Sequence, residues 1–147
     1  TEIISLYLCR NRFRITPLIV PPPRKLLPLL EKTKSAYKLW YGFYPTLPKT
    51  HRYSLGQKID TLFIEIIENI ATASFLQKEH KEPYVRFSIR KTDTLKVLLM
   101  ILWETESLKT KHYILLSEPL DEIGRMLGGW LGQLQKQNSP RTIWGEK

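Results

Sequence analysis

The side chains best suited to chemistry in this sequence are its histidines, and their spacing decides what they can do. His51, His80 and His112 lie far apart in the chain, each near the end of a predicted helix. Metal sites on helices need ligands one turn apart, as in Glu-x-x-His or His-Glu-x-x-His. No histidine here belongs to such a pattern, so each is interpreted as a polar residue at a helix end.

The carboxylates and the single cysteine offer no better arrangement. Glu65 with Glu68 and Glu104 with Glu106 form close pairs on two predicted helices. A carboxylate metal bundle also requires Glu-x-x-His motifs on two helices, which are missing here. Cys9 has no base near it in the sequence. Because no titratable groups are placed for catalysis, we predict a protein that is not an enzyme, with no metal and no cofactor.

A glycine-rich segment, LDEIGRMLGGWL at residues 120–131, is the most distinctive part of the chain. Apolar residues recur around it at spacings of three and four, which is typical of one helix face: Tyr113, Leu116, Leu120, Ile123, Leu127, Trp130 and Leu134. Gly124, Gly128 and Gly132 share another side of that helix, where they would let a backbone or a flat ring come close. The alternative is that Gly128 and Gly129 end the helix, but the apolar spacing continues beyond them.

The first helix is predicted to start at Pro28 and to be closed by Pro45 and Pro48. Its apolar stripe is rich in aromatic residues, with Lys32, Lys34 and Lys38 on the other side. The stripe comprises Leu29, Leu30, Thr33, Ala36, Tyr37, Trp40, Tyr41 and Tyr44. We interpret the stripe as core, with base stacking as the alternative.

The second helix is predicted to begin between Lys49 and Ser54 and to run to about Gln77. Ser54 and Gln57 fit a capping box, and Thr50 is a competing cap.

The third helix is predicted over Tyr84–Leu108, after a charged turn at residues 78–83 in which Pro83 suits a first-turn position. Its expected buried face comprises Val85, Ile89, Leu95, Leu98, Leu99, Leu102 and Trp103. The fourth helix is predicted to start with Thr110 as its cap. Four helices joined by short turns predict an all-α, antiparallel four-helix bundle over residues 26–137, followed by a C-terminal tail at 138–147.

Positive charge is concentrated at the start of the chain, within a net charge of +9. Residues 1–52 carry ten Lys and Arg against two acids, whereas residues 53–147 carry thirteen against twelve. Residues 1–25 are also rich in proline and predict a basic arm, in which Arg10, Arg12 and Arg14 would share one side if extended. This asymmetry favours an anionic partner, with nucleic acid first and a membrane surface second. The alternative is a solvated basic tail without a partner.

Size and cysteine content narrow the class of protein further. A chain of 147 residues is one domain by size. A single cysteine excludes an intrachain disulfide and is consistent with a reducing compartment. No run reaches the ~18–20 apolar residues of a membrane span, and no secretory signal is visible. We therefore expect a cytoplasmic protein with no membrane partner.

Three segments together resemble the Avd family, the accessory variability determinants of diversity-generating retroelements. They are Tyr44-Pro45 with Pro48-Lys49, the run YSLGQKI at residues 53–59, and the run LDEIGRMLGGWL at residues 120–131. The specific part is EIGRMLGGW, at residues 122–130. The resemblance covers about residues 26–137. It extends more loosely to a wider four-helix-bundle family that includes small proteins encoded in insertions of large ribosomal RNA genes. The arm resembles nothing that we can name.

The resemblance implies a ring-like homopentamer with a basic surface that binds a reverse transcriptase and its nucleic acid. Together they support error-prone copying of a template RNA into cDNA, which then replaces a variable region in a target gene. The alternative is a structural homo-oligomeric module of the wider family without a reverse transcriptase. In that case Gly124, Gly128, Gly132 and Trp130 would make the contacts between subunits.

Under the first hypothesis the basic residues are candidate phosphate contacts. They are Lys49, Arg52, Lys58, Arg86, Arg90, Lys91 and Arg125, with Arg10, Arg12 and Arg14 of the arm added by charge alone. Arg86 and Arg90 lie one helical turn apart and so share a face. Arg125 has an alternative role, since it could pair with Asp121 or Glu122 one turn back.

Overall fold

The computed structural model describes residues 27–140. It contains four long helices: α1 (Leu27–Phe43), α2 (Leu55–Phe75), α3 (Lys78–Glu104) and α4 (Thr110–Asn138). A 3₁₀ turn (Tyr44–Thr46) and a short helix (Lys49–Arg52) connect α1 to α2. The predicted arm, with Arg10, Arg12 and Arg14, and the tail beyond Pro140 lie outside the described residues.

The four long helices form an antiparallel bundle, as predicted. Each packs against two neighbours, in the cyclic order α1, α2, α3, α4 and back to α1. Contacts between α1 and α4 show their opposite directions, because Phe43 stacks on His112 while Lys32 pairs with Glu122. No strand occurs within residues 27–140, and no helix in this range is long and apolar enough to cross a membrane.

The core is built from the predicted apolar stripes of all four helices. Trp40 is completely buried and stacks on Phe63 of α2, with ring centroids 6.3 Å apart. This confirms that the aromatic stripe of α1 is core, with one exception at Tyr41, which is 70% exposed. The expectation that Trp103 is buried is also wrong, since it is 38% exposed and lies against Tyr113 of α4.

The start of α3 differs from the prediction. The charged segment at residues 78–83 is helical, so α3 begins at Lys78 rather than Tyr84, and Pro83 lies inside the helix. Proline has no amide hydrogen, so the carbonyl of Glu79, the second residue of the helix, loses one hydrogen bond. This cost is tolerated because Pro83 lies near the start of the helix, where the first amides have no partner within the helix.

The end of α3 also differs, since the helix stops at Glu104 instead of Leu108. Glu106 has a φ of 62°, in the left-handed region. The amides of Glu106 and Ser107 donate to the carbonyls of Trp103 and Leu102, at 3.0 and 2.9 Å. This is the Schellman arrangement that ends a helix, formed here without the usual glycine.

Two predicted helix caps are not formed. The Ser54 side chain makes no capping bond to α2; its hydroxyl instead donates to the carbonyl of Thr50 at 3.1 Å. Thr50 lies within the short helix and therefore does not cap α2. At α4 the cap position is Lys109, and Thr110 accepts a hydrogen bond from Trp103 Nε1 at 3.1 Å. Both hydroxyls are engaged by other groups, which sequence spacing does not reveal.

Candidate nucleic-acid interface

α3 carries the most compact group of predicted phosphate contacts, and we call Arg86, Arg90 and Lys91 the α3 basic strip. Arg86 is held by Glu82 one turn earlier, with Nε and a terminal nitrogen 3.0 and 2.8 Å from the same carboxylate oxygen. Lys91 pairs with Glu65 of α2 at 3.1 Å. Arg90 is exposed and has no carboxylate within ion-pair distance among residues 27–140. The strip therefore presents one free guanidinium between two partly neutralised cations.

A shallow groove of about 280 Å³ runs beside this strip, between α3 and α4. Arg86, Ile89 and Arg90 line it from α3, and Leu131 lines it from α4. Its floor is thus apolar and its α3 edge is basic. Such a groove suits an anionic chain that carries flat aromatic rings.

Arg125 is free of the pairing that the sequence allowed as an alternative. Asp121 pairs with Lys96 of α3 at 2.9 Å, and Glu122 pairs with Lys32 of α1. A hydrogen bond from Lys32 holds the pKa of Glu122 below its ordinary value, and the charge of Arg125 contributes least to that shift. Arg125 is exposed and makes no ion pair within the described part of the chain. Lysines from the two neighbouring helices have taken its predicted partners.

The candidate residues near the α1–α2 connection have different roles. The Arg52 guanidinium donates to the carbonyls of Pro45 and Leu47 at 3.1 and 2.9 Å. The Tyr44 hydroxyl donates to the carbonyl of Arg52 itself at 2.8 Å. Arg52 therefore holds the connection together. Lys49 and Lys58 are exposed. They lie towards the opposite end of the bundle from Arg86, so the structure divides the candidates into separate groups.

The predicted glycine strip is open. α4 continues through Gly124, Gly128 and Gly132, which confirms that these glycines do not end the helix. An added Cβ would meet Lys96 Nζ at 3.3 Å from Gly124, and nothing within 4 Å at Gly128 or Gly132. No part of residues 27–140 therefore uses the close approach that the last two glycines permit.

Trp130 lies on a different side of α4 from the glycine strip. It is partly buried and packs against the core, and Lys81 lies 5.9 Å from the centre of its ring. Residues two apart on a helix point in nearly opposite directions. Trp130 and Gly128 thus cannot share one flat contact surface.

Two of the three histidines, His51 and His112, take part in structural contacts. His51 Nδ1 lies 2.5 Å from the hydroxyl of Ser107 and so joins the two connections at one end of the bundle. Burial lowers the pKa of His112, with smaller contributions from Lys109 and Lys111. Within residues 27–140, no three His, Cys, Asp or Glu side chains come together in a way that could hold a metal ion.

Phe87 lies beside the α3 basic strip, although the sequence analysis did not predict it as a site residue. The side chain is 41% exposed, and Arg90 and Lys91 lie 5.4 and 4.9 Å from the centre of its ring. The signal in the sequence was an aromatic residue between the arginines at 86 and 90, outside the apolar spacing of the core face.

The family comparison agrees with the fold. A family model described as bAvd-like matches residues 27–134, which is most of the helical bundle. No curated protein matches the chain at a significant level.

Proposed function

Because the chain belongs to the bAvd-like family, we propose that it is a non-enzymatic accessory protein of a diversity-generating retroelement. It binds the reverse transcriptase and the template RNA or cDNA of that element, and so supports mutagenic retrohoming. The match over residues 27–134 carries the proposal, since it includes the run at 120–131 from which the resemblance was drawn.

The arrangement of charge supports the nucleic-acid part of this proposal. Residues 27–140 hold sixteen Lys and Arg against twelve Asp and Glu, and several of the acids are paired with lysines or arginines of the bundle. Arg90, Arg125, Lys49 and Lys58 stay exposed without an ion pair in this part of the chain. Phosphates of a nucleic acid bind exposed cations of this kind, and the counterions of those phosphates are released on binding.

A binding experiment tests this part directly. Fluorescence anisotropy of a labelled single-stranded RNA should show log K falling with log salt at about −0.7 per phosphate contact. Arg90→Ala combined with Arg125→Ala should make the slope shallower by roughly 0.7 for each phosphate that is no longer bound. Lys34→Ala is the control for the loss of one positive charge from either site, because Lys34 lies on α1 and is paired with Glu31; it should leave the slope unchanged. An affinity that is flat between low and moderate salt would contradict nucleic-acid binding.

The reverse transcriptase partner requires a separate test. The tagged chain is produced together with the reverse transcriptase gene of its own locus and purified through the tag at moderate salt. Recovery of both proteins in one peak of a gel-filtration column supports the proposal. A polymerase that elutes alone at every salt concentration would overturn this part, whatever the result with RNA.

A second candidate function is a structural homo-oligomeric module with no polymerase partner. The observation that favours it is the open glycine strip, since nothing in residues 27–140 occupies the space beside Gly128 and Gly132. Gly128→Leu would fill that space and should break an assembly that uses it. An unchanged mass by light scattering would exclude this surface as the subunit contact.

A further inference from the structure

The ring of Phe87 is exposed on the surface of α3 beside two cations. The side chain is 41% exposed, and two cations of the α3 basic strip lie over its ring. Arg90 and Lys91 lie 5.4 and 4.9 Å from its centroid. Among residues 27–140, no other ring has two cations over it.

The two cations over Phe87 are not held equally. Lys91 is tied to Glu65 at 3.1 Å, whereas Arg90 has no carboxylate partner within the described residues. Arg90 also lines the groove between α3 and α4 together with Arg86. It therefore lies over the ring and also forms part of the basic edge of the groove.

We propose that Phe87 is a base-stacking platform for single-stranded nucleic acid, with Arg90 moving from the ring to a phosphate when a base takes its place. This inference rests on the proposed function and names its preferred partner, a single strand with free bases. A cation over an exposed ring is held more weakly than a base stacked on it. The exchange is therefore favourable, because the guanidinium gains a phosphate when it leaves the ring.

The same geometry disfavours a duplex at this position. In a double helix each base is already stacked and paired, so its face is not open to a side chain on the outside of a helical bundle. A duplex could meet the α3 basic strip only through its phosphates, and Phe87 would then add nothing to its affinity.

The test compares how tightly the full protein chain binds single-stranded and double-stranded RNA of equal length. Anisotropy is measured with a labelled 12-nucleotide oligouridine and with a 12-base-pair RNA duplex. Phe87→Leu keeps an apolar side chain of similar size but removes the aromatic face. It should weaken binding of the single strand roughly tenfold and leave binding of the duplex unchanged. Tyr41→Leu is the matched control, since Tyr41 is an exposed aromatic residue on α1, and it should change neither.

A spectroscopic measurement separates stacking from a change in folding. Phe87→Trp should keep or strengthen single-strand binding, and oligouridine should quench the fluorescence of this variant more strongly than that of the wild-type chain. Circular dichroism confirms that each variant is as helical as the wild type. A Phe87→Leu variant that binds the single strand as tightly as the wild type, with the salt dependence retained, would overturn the inference and leave the proposed function standing. Equal losses for single strand and duplex would overturn it too. If the wild-type chain binds neither form at low salt, the proposed function fails as well.

Discussion

The imidazole of His112 lies flat against the ring of Phe43, with centroids 3.9 Å apart and planes 8° from parallel. This contact joins the first turn of α4 to the last turn of α1. Nδ1 of His112 is buried without a hydrogen-bond partner among the described residues. Burial therefore lowers the pKa of His112, and Lys109 and Lys111 lower it further. Folding therefore favours the neutral form of this histidine.

Replacing His112 should change how stability depends on pH. In the unfolded chain a histidine titrates near its ordinary value of about 6.5, whereas in the folded chain its pKa is lower. Below pH ~6.5 the unfolded state binds the extra proton, so the free energy of unfolding falls as the pH drops towards the folded pKa. His112→Phe keeps an aromatic ring against Phe43 but has no group that titrates, so this fall in the free energy of unfolding should be absent. Urea unfolding at pH 7.5 and pH 5 should show a smaller decrease for the variant than for the wild type.

His80→Phe is the control for this comparison, because His80 is exposed in α3. It should follow the wild-type pH dependence. If His112→Phe also follows the wild type, His112 contributes nothing to the acid sensitivity of the fold.

Two glycine-to-alanine substitutions should have opposite effects on stability. A Cβ at Gly56 would lie 2.9 Å from Tyr44 Cε2 and 3.1 Å from the carbonyl oxygen of His51. Since this backbone oxygen cannot move away, Gly56→Ala should lower the free energy of unfolding by about 1–3 kcal/mol. At Gly128 nothing lies within 4 Å, and Gly128→Ala should raise it by about 1 kcal/mol through helix propensity alone. Urea denaturation of the two variants makes the comparison, and a loss of stability in both would contradict the open strip.

Arg52 should behave as a structural residue rather than a phosphate contact. Its guanidinium donates to two backbone carbonyls of the α1–α2 connection. Arg52→Ala removes both donors and should lower the free energy of unfolding by about 1–2 kcal/mol. Lys49→Ala removes the same charge from an exposed position nearby and should stay within about 0.5 kcal/mol of the wild type. Thermal denaturation distinguishes the two, and equal stabilities would show that the carbonyl contacts of Arg52 are dispensable.

Glu106 should be a site where glycine stabilises the chain. Its φ of 62° is costly for a residue with a Cβ and free of that cost for glycine. Glu106→Gly should therefore raise the free energy of unfolding by about 1 kcal/mol. Glu104→Gly, two residues earlier inside α3, should lower it by about 1 kcal/mol. Chemical denaturation measures the free energy of unfolding of both variants. A loss of stability in Glu106→Gly would argue against a left-handed backbone conformation at Glu106.

Apolar spacing was enough to predict the bundle, because the core residues of each helix must face one direction. Leu116, Leu120, Ile123 and Leu127 are all buried at their predicted spacing. The same spacing correctly predicted that α4 continues through its glycines. Helix boundaries were less predictable because they depend on hydrogen bonds made elsewhere. Ser54 matched a capping pattern, yet its hydroxyl bonds to the preceding short helix.

The sequence indicated candidate phosphate contacts by residue type, but it could not show how those residues pair. Sequence spacing offered Asp121 and Glu122 as partners of Arg125, since both lie about one turn away. In the bundle these two acids pair instead with Lys96 and Lys32, which lie on two other helices. Pairs between helices depend on the three-dimensional packing, so sequence spacing does not reveal them. The structural role of Arg52 was hidden for the same reason, because its carbonyl partners belong to a connection without periodic spacing.

We propose that this bundle assembles and binds nucleic acid through its cations, and its mass in solution tests both properties. Multi-angle light scattering gives the mass of the full chain in solution, with and without a structured RNA, at low and moderate salt. We expect a mass several times that of the 17.3 kDa chain, near five copies as the family resemblance implies, and an RNA complex that dissociates as salt rises. A 17.3 kDa monomer that ignores RNA at low salt would contradict the account.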